Sequence, residues 1–144
     1  ESVCPAVRHR AHADRAAVSV ESGGLLALMQ VLRDDHALGF DLLLTHTAID
    51  LVDEHRFELV YILHSTVHGH NLFVCTKIDR ENPVAPSVCG LWPIAEWHER
   101  EVYDLMGVLY DNHPDLRRIF LEDDWEGFPL RKDYQDEHML ELPK

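Results

Sequence analysis

The stretch from Trp92 to Tyr134 constrains this chain most, because it joins one amphipathic helix to a long charged segment. Pro93 suits a first helical turn, since its missing N–H would be unpaired there in any case. At about 100° per residue, six residues after Trp92 fall within a stripe of roughly 120°. The stripe consists of Ile94, Ala95, His98, Val102, Leu105 and Met106. We predict a helix that packs this stripe on a sheet and ends at Gly107, a residue typical of helix C-termini.

This helix carries a Glu-Arg-Glu triplet, Glu99, Arg100 and Glu101. The two glutamates are predicted at opposite edges of the apolar stripe, and Arg100 on the far side together with Trp97 and Asp104. Residues four apart are neighbours on a helix, so we expect Arg100 to pair with Asp104 and with the glutamate at position 96. The guanidinium is also expected to lie over the Trp97 ring.

The two glutamates need hydrogen-bond donors, because carboxylates that flank an apolar stripe are partly desolvated. The downstream basic residues are the expected donors: Arg117, Arg118, Arg131 and Lys132. A catalytic acid/base pair is disfavoured, since residues two apart diverge by about 200° around a helix. A zinc-binding HExxH helix is excluded because His98-Glu99 lacks the second histidine.

Upstream of this helix the sequence predicts one further helix and several strands. The helix has its apolar stripe at Leu25, Leu28, Met29 and Leu32, with Ser22 as its cap. The strands are expected at Ala16–Val20, Phe40–Asp53, Phe57–His64, Leu72–Ile78 and Val108–Tyr110. Short turns between the central three indicate an antiparallel meander. The predicted fold class is α+β, a two-layer sandwich of a mainly antiparallel sheet covered by helices.

The C-terminal segment is predicted to be an extended tail. We divide the chain into one α+β domain over residues 1–121, with a loose arm at 1–15, and a tail over residues 122–144. The tail has no sustained helix or strand period, yet it carries Trp125, Phe128 and Leu130. Isolated large apolar residues in a charged segment cannot build a core of their own. We therefore expect them to dock on a partner protein, with folding back onto the parent domain as the alternative.

Composition narrows the class of partner. The 144 residues carry a formal net charge of −13, which argues against binding to nucleic-acid phosphates or to anionic lipid. Hydropathy shows neither a spanning helix nor a signal peptide, so membrane association is expected only through partners. Cys4, Cys75 and Cys89 form no CxxC pair, and a disulfide framework or a cysteine-ligated cluster is not expected.

One alternative from a different class is a metal-binding protein. The chain has 11 histidines, and His64, His68 and His70 lie close together in the sequence HSTVHGH. A strand end followed by a turn could bring the three rings together, and imidazole suits zinc, copper or nickel. Three solvent-exposed turn histidines are the simpler interpretation.

The run EREVYDLMGVLYDNHPDLRRI closely resembles the signature of the 30-kDa subunit of respiratory complex I, and DDWEGFPLRKDY resembles the family's tail. Upstream, GFDLLLTHTAIDL, FELVYILHS and PSVCGLWPIAEW also look like the family, so the likeness covers roughly residues 16–134. Met106 and Phe120 stand where the family usually has Phe and Leu, and Phe128 where it usually has His.

The resemblance implies a peripheral-arm subunit without a redox centre of its own, which braces the 49-kDa-type large subunit at the quinone site. It implies no cofactor in this chain, with FMN, iron–sulfur clusters and quinone in partner subunits, on the cytoplasmic side of the membrane. Related subunits occur in energy-converting [NiFe] hydrogenases and formate hydrogenlyase. The signature positions it marks as structural and interface residues are Glu99, Arg100, Glu101, Asp104, His113, Pro114, Arg117, Arg118, Trp125, Gly127, Pro129, Leu130, Arg131, Lys132, Asp133 and Tyr134.

Overall fold

The structure is a computed structural model that describes residues 7–10 and 15–136. Its strands are β1 Arg8–His9, β2 Ala17–Ser19, β3 Leu42–Leu51, β4 Arg56–Ser65, β5 His70–Asp79, β6 Val84–Pro86 and β7 Leu109–Asp111. Its helices are α1 Leu25–Asp34 and α2 Ala95–Met106. Neither helix of the described residues has the length and apolar character needed to cross a bilayer.

The sheet has five strands in the order β1-β2-β5-β4-β3. The central β3, β4 and β5 form the predicted antiparallel meander. The short β2 then pairs with β5 in parallel, and β1 closes that edge in antiparallel fashion. A second, two-stranded parallel ladder joins β6 to β7. The α+β class with a mainly antiparallel sheet is confirmed.

The core lies on one face of the sheet. Alternation along β4 places four side chains on that face, all fully buried: Phe57, Leu59, Tyr61 and Leu63. The predicted stripe of α1 is buried at all four of its positions. From α2 the buried apolar residues are Ala95, Val102 and Met106. Because both helices contribute to this one cluster, they form the second layer of the sandwich.

Several local predictions need correction. Ser22 belongs to a short 3₁₀ turn before α1 and makes no side-chain cap. Ile94 precedes α2, which begins at Ala95, and is exposed rather than part of the buried stripe. Of the predicted loose arm, residues 7–10 and 15 are described, and the pairing of Arg8 with Ser19 shows that this part is bound to the sheet. Residues 1–6, with Cys4, and 11–14 lie outside the described part.

The described part of the tail, residues 122–136, has no helix or strand, as predicted, but it does not leave the domain. The Leu130 N–H donates to the Leu105 carbonyl at 3.0 Å, and the Lys132 N–H donates to Asp50 Oδ2 at 2.9 Å. The segment therefore folds back onto its own domain, which was the alternative interpretation. Residues 137–144 lie outside the described part.

Gly107 ends α2 at a point where the tail lies close against it. The residue has φ of +77°, and its N–H donates to the Tyr103 carbonyl at 2.9 Å. A Cβ built at this position would lie 2.6 Å from the Phe128 ring and 2.8 Å from the Arg131 guanidinium. Glycine is therefore favoured at this position for two reasons: the backbone is left-handed, and the tail approaches too closely for a side chain.

We expect Gly107→Ala to lower the free energy of unfolding by about 2–4 kcal/mol, because the left-handed strain adds to displacement of the tail. Gly23→Ala is the matched control, since its Cβ would meet nothing within 4 Å and its φ is not positive. Urea unfolding followed by circular dichroism measures both variants. Equal midpoints for the two alanine variants would contradict this account of the helix end.

Candidate functional site

Asp104 is the most heavily bonded side chain of the signature. It lies in the last turns of α2 and is fully buried. Its Oδ2 accepts three consecutive backbone N–H groups: Ile119 at 3.0 Å, Phe120 at 2.7 Å and Leu121 at 3.1 Å. Successive backbone N–H groups that converge in this way form a concave anion site, and here the anion is supplied by the chain itself.

The two arginines of this region complete the arrangement around Asp104. Arg118 donates from Nη1 to Asp104 Oδ1 at 2.9 Å and from Nη2 to the Trp125 carbonyl at 3.1 Å. Arg100 donates to the carbonyls of Arg117 and Arg118, at 3.1 and 3.3 Å. The loop over residues 117–121 is therefore held to α2 through its N–H groups by Asp104 and through its carbonyls by Arg100.

These contacts correct the expected pairing. Arg100 lies over the Trp97 ring at 5.0 Å, as predicted, but it bonds to backbone carbonyls rather than to Asp104 or Glu96. The basic residue that meets a helix carboxylate is Arg118, and its partner is Asp104. A helical wheel could not locate these partners, because they come from the loop that follows β7.

Glu99 is also fully buried, rather than at an edge of the stripe, and its donors come from the loop after β6. Ser87 donates its hydroxyl to Oε2 at 2.7 Å, and the Val88 N–H donates to Oε1 at 2.8 Å. The Cys89 thiol donates to Oε2 at 3.3 Å. The prediction that basic tail residues satisfy Glu99 is therefore wrong, and its neutral donors come from upstream in the chain.

His113 lies beside Glu99, and its two ring nitrogens have fixed roles. Nδ1 accepts the Asp115 N–H at 3.0 Å, so in the neutral ring the proton is on Nε2. Nε2 donates to the Glu96 carbonyl at 3.1 Å and lies 3.9 Å from Glu99 Oε2. The ring therefore links α2 to the turn after β7.

Cys89, Glu99 and His113 bring one potential metal-ligand atom each within 4.8 Å of the others. Their hydrogen bonds argue against a metal centre. A metal at Nε2 would need a lone pair where the neutral ring carries a proton, and Nδ1 would lose the bond from Asp115. Both Glu99 oxygens already accept donors of this chain. The cluster is best described as a hydrogen-bonded structural group.

The two buried carboxylates titrate in opposite directions. Burial raises the pKa of Glu99, and the bonds from Ser87 and Val88 offset this only in part. Burial acts in the same sense on Asp104, but the three backbone N–H groups and Arg118 outweigh it and lower the pKa of Asp104. The loop that binds Asp104 therefore favours the charged form of that carboxylate, whereas burial disfavours the charged form of Glu99.

The tail is clasped to α2 by Arg131. Its Nε donates to the Met106 carbonyl at 2.7 Å, and its guanidinium lies 5.1 Å from the Phe57 ring and 4.9 Å from the Phe128 ring. Arg118 also lies 5.5 Å from the Phe128 ring. Phe128 thus takes the position between two guanidinium groups where the resembled family usually has His.

Arg80 makes a second contact between the tail and the domain, and the sequence pattern does not predict it. Arg80 donates to both oxygens of Asp50, at 2.8 and 3.0 Å, and to Asp133 at 2.7 Å. Arg80, foremost, and the Lys132 N–H lower the pKa of Asp50. The sequence contains one indication of this contact. Asp50 stands at a core-facing position of an apolar strand, and a buried aspartate needs a hydrogen-bond donor.

The remaining signature residues are more peripheral. Glu101 is exposed, and so is Pro114. Arg117 forms an exposed ion pair with Asp115 at 2.8 Å. Gly127 has φ of +81°, and the Tyr134 hydroxyl bonds to Asp136. Pro129 is partly buried.

The three histidines named as a metal alternative lie at the β4–β5 hairpin, with other partners. His64 Nδ1 donates to Asn71 Oδ1 at 2.5 Å, and His68 Nε2 donates to the His36 carbonyl at 3.2 Å. The rings of His68 and His70 stack with centroids 5.6 Å apart. Within the described ranges, the three ligand atoms do not meet at one point.

These features define a class of protein: an α+β domain whose most distinctive segment, residues 92–134, has buried ionisable side chains that hydrogen-bond within the same chain. Residues 18–138 match the profile of the respiratory-chain NADH dehydrogenase 30 Kd subunit family, and the chain belongs to that family.

Individual relatives support this family membership. The chain is 42% identical to the C subunit of NADH-quinone oxidoreductase from Moorella thermoacetica over 131 residues, which cover 91% of this chain and 87% of the relative. It is 45% identical to the same subunit from Salinispora arenicola over 107 residues, or 73% of this chain and 44% of the relative. The chain thus spans less than half the length of that second relative.

Solved structures share the fold. A chain of an archaeal membrane-bound sulfane sulfur reductase, a respiratory membrane complex, superposes with a TM-score of 0.79 at 28% identity, over 92% of this chain and 79% of that one. The trypsin-resistant fragment of Nqo5 gives a TM-score of 0.66 at 29% identity, over 76% of this chain and 88% of that one.

We expect Asp104→Asn to destabilise the chain by about 2–4 kcal/mol, because an amide N–H₂ would face either Arg118 or the three backbone N–H groups. Asp115→Asn is the control and should leave the urea midpoint unchanged, since that carboxylate is exposed. The stabilisation from Asp104 is present above its unfolded pKa of 3.8 and is lost as pH falls through its lower folded pKa.

The stability of the Asp104→Asn variant should therefore depend less on pH in the acid range than that of the wild type. Urea titrations from neutral to acid pH test this. Parallel pH curves for wild type and variant would rule out a charged Asp104.

We expect Arg131→Ala to release the tail from α2. The variant loses the bond to the Met106 carbonyl and both ring contacts, so the Leu130 amide should exchange its hydrogen about tenfold faster or more. Lys132→Ala is the control, because the bond to Asp50 comes from its backbone and survives. Hydrogen exchange read by NMR checks both, and equal Leu130 rates in the two variants would refute the clasp.

Proposed function

We propose that this chain is a non-redox structural subunit of a complex I-type NADH:quinone oxidoreductase. One observation supports the proposal most directly: the buried ionisable residues of the signature make their contacts inside this domain. Asp104, Glu99 and Arg100 bind this chain's own backbone and side chains, and none is arranged to hold a substrate or an electron carrier.

Family membership and the NADH-quinone oxidoreductase relatives support the assignment. On this proposal FMN, iron–sulfur clusters and quinone reside in partner subunits. The chain braces the 49-kDa-type large subunit beside the quinone site, at the cytoplasmic side of the membrane, and reaches the membrane only through its partners.

A second candidate is the equivalent subunit of a membrane-bound energy-converting [NiFe] hydrogenase or formate hydrogenlyase. What favours it is the likeness to a chain of the sulfane sulfur reductase, because that protein is a respiratory membrane complex of another kind. The fold therefore serves in more than one assembly, while the NADH-quinone oxidoreductase relatives favour the first candidate.

The test is the composition of the native assembly purified through a tag on this chain in its source organism. We expect NADH-oxidising flavin and cluster subunits in the preparation. A nickel-bearing large subunit without them would instead establish the second candidate. The lone purified chain should hold neither iron nor flavin, and stoichiometric amounts of either would overturn the non-redox role.

A further inference from the structure

Exposed aromatic rings lie on the surface near Arg100 and Arg118. Trp97 is 55% exposed, Phe120 64% and Trp125 38%. One set of contacts brings these residues to the same region. Arg100 lies over Trp97 and donates to the Arg118 carbonyl, and Arg118 donates to the Trp125 carbonyl. The Phe120 N–H donates to Asp104, which Arg118 also binds. Large rings held this way on a fixed backbone are typical anchors of protein interfaces.

An acidic turn borders these rings. Glu122, Asp123 and Asp124 are all exposed, and the turn is closed by the bond from the Trp125 N–H to the Glu122 carbonyl at 3.0 Å. We name the acidic–aromatic surface by its six residues: Trp97, Phe120, Glu122, Asp123, Asp124 and Trp125.

The cations nearby do not neutralise this surface. Arg100 is buried and bonded to carbonyls, and Arg118 is paired with buried Asp104. Arg117 is exposed; it pairs with Asp115 and also interacts electrostatically with Asp123, so it offsets only part of the negative charge. Arg100 and Arg118 are thus occupied by internal contacts, and the three exposed acids outnumber the one exposed arginine beside them, so the surface keeps a net negative charge.

We infer that the acidic–aromatic surface docks on a basic protein surface, rich in Lys and Arg, that offers pockets for the aromatic rings. Charge complementarity selects this occupant, because nucleic acid and anionic lipid would both be repelled. Acids at the rim speed and orient the encounter, and buried rings at the centre set the lifetime of the complex. The inference rests on the proposed function and adds the chemistry of the partner.

The test measures how the purified full chain binds the native complex that lacks this subunit, by biolayer interferometry at about 50 mM and about 500 mM KCl. The first variant combines Glu122→Gln, Asp123→Asn and Asp124→Asn. Its control combines Glu21→Gln, Asp53→Asn and Glu81→Gln, exposed acids elsewhere, so that both change the net charge by the same amount.

We expect the surface variant to associate about tenfold more slowly at the lower salt, with the difference shrinking at the higher salt. The control should associate like the wild type. Trp97→Ala should dissociate about tenfold faster or more, whereas Val67→Ala, at an exposed hairpin tip, should not.

Equal slowing of the two charge variants, or of neither, overturns the inference, and so does an unchanged dissociation rate for Trp97→Ala. In those cases the proposed function stands, because the wild type has bound. If the wild-type chain does not bind the depleted complex at all, the proposed function and the inference fall together.

Discussion

The structure depends most on the buried carboxylate of Asp104, which collects three consecutive backbone N–H groups and one guanidinium. Unpaired backbone groups of an irregular loop are costly to bury, so such loops usually stay in solvent. Here an anion on a helix satisfies them, and the loop over residues 117–121 lies against α2 without secondary structure of its own. Removing the charge leaves donors without acceptors, which costs more than the bonds themselves stabilise.

The same logic recurs around the domain. Glu99 holds the loop that precedes α2, Asp50 holds the tail and Arg80, and Arg131 joins the tail to the C-terminal end of α2. Each of these contacts joins an irregular segment to a regular element through a buried or partly buried ionisable side chain. Buried charges of this kind give modest net stability, yet they fix one arrangement, because any other arrangement leaves a charge unpaired. A subunit that must present a defined outer surface to neighbours needs such a fixed arrangement.

The regular elements could be predicted from the sequence, and the contacts between irregular segments could not. Alternation along Phe57–His64 and the stripe at Leu25–Leu32 follow from local periodicity, and both elements appear where the pattern placed them. The partners of Asp104 and Glu99 lie ten or more positions away along the chain, within loops that have no period. Helical geometry predicted that Arg100 would pair with residues one turn away on α2, but Arg100 bonds to backbone carbonyls of the loop instead. The contact of the tail with its own domain was missed for a similar reason, since Phe128 looks isolated in the sequence until it meets the two guanidinium groups.

Asp104 and Glu99 are, on this view, internal structural groups with opposite environments. Carbon-13-detected NMR titration of the assigned side-chain carboxyl groups in the wild-type chain tests this directly. We predict a pKa for Asp104 below its usual value and a pKa for Glu99 above its usual value. Ordinary pKa values for both groups, or shifts in the reverse order, would contradict it.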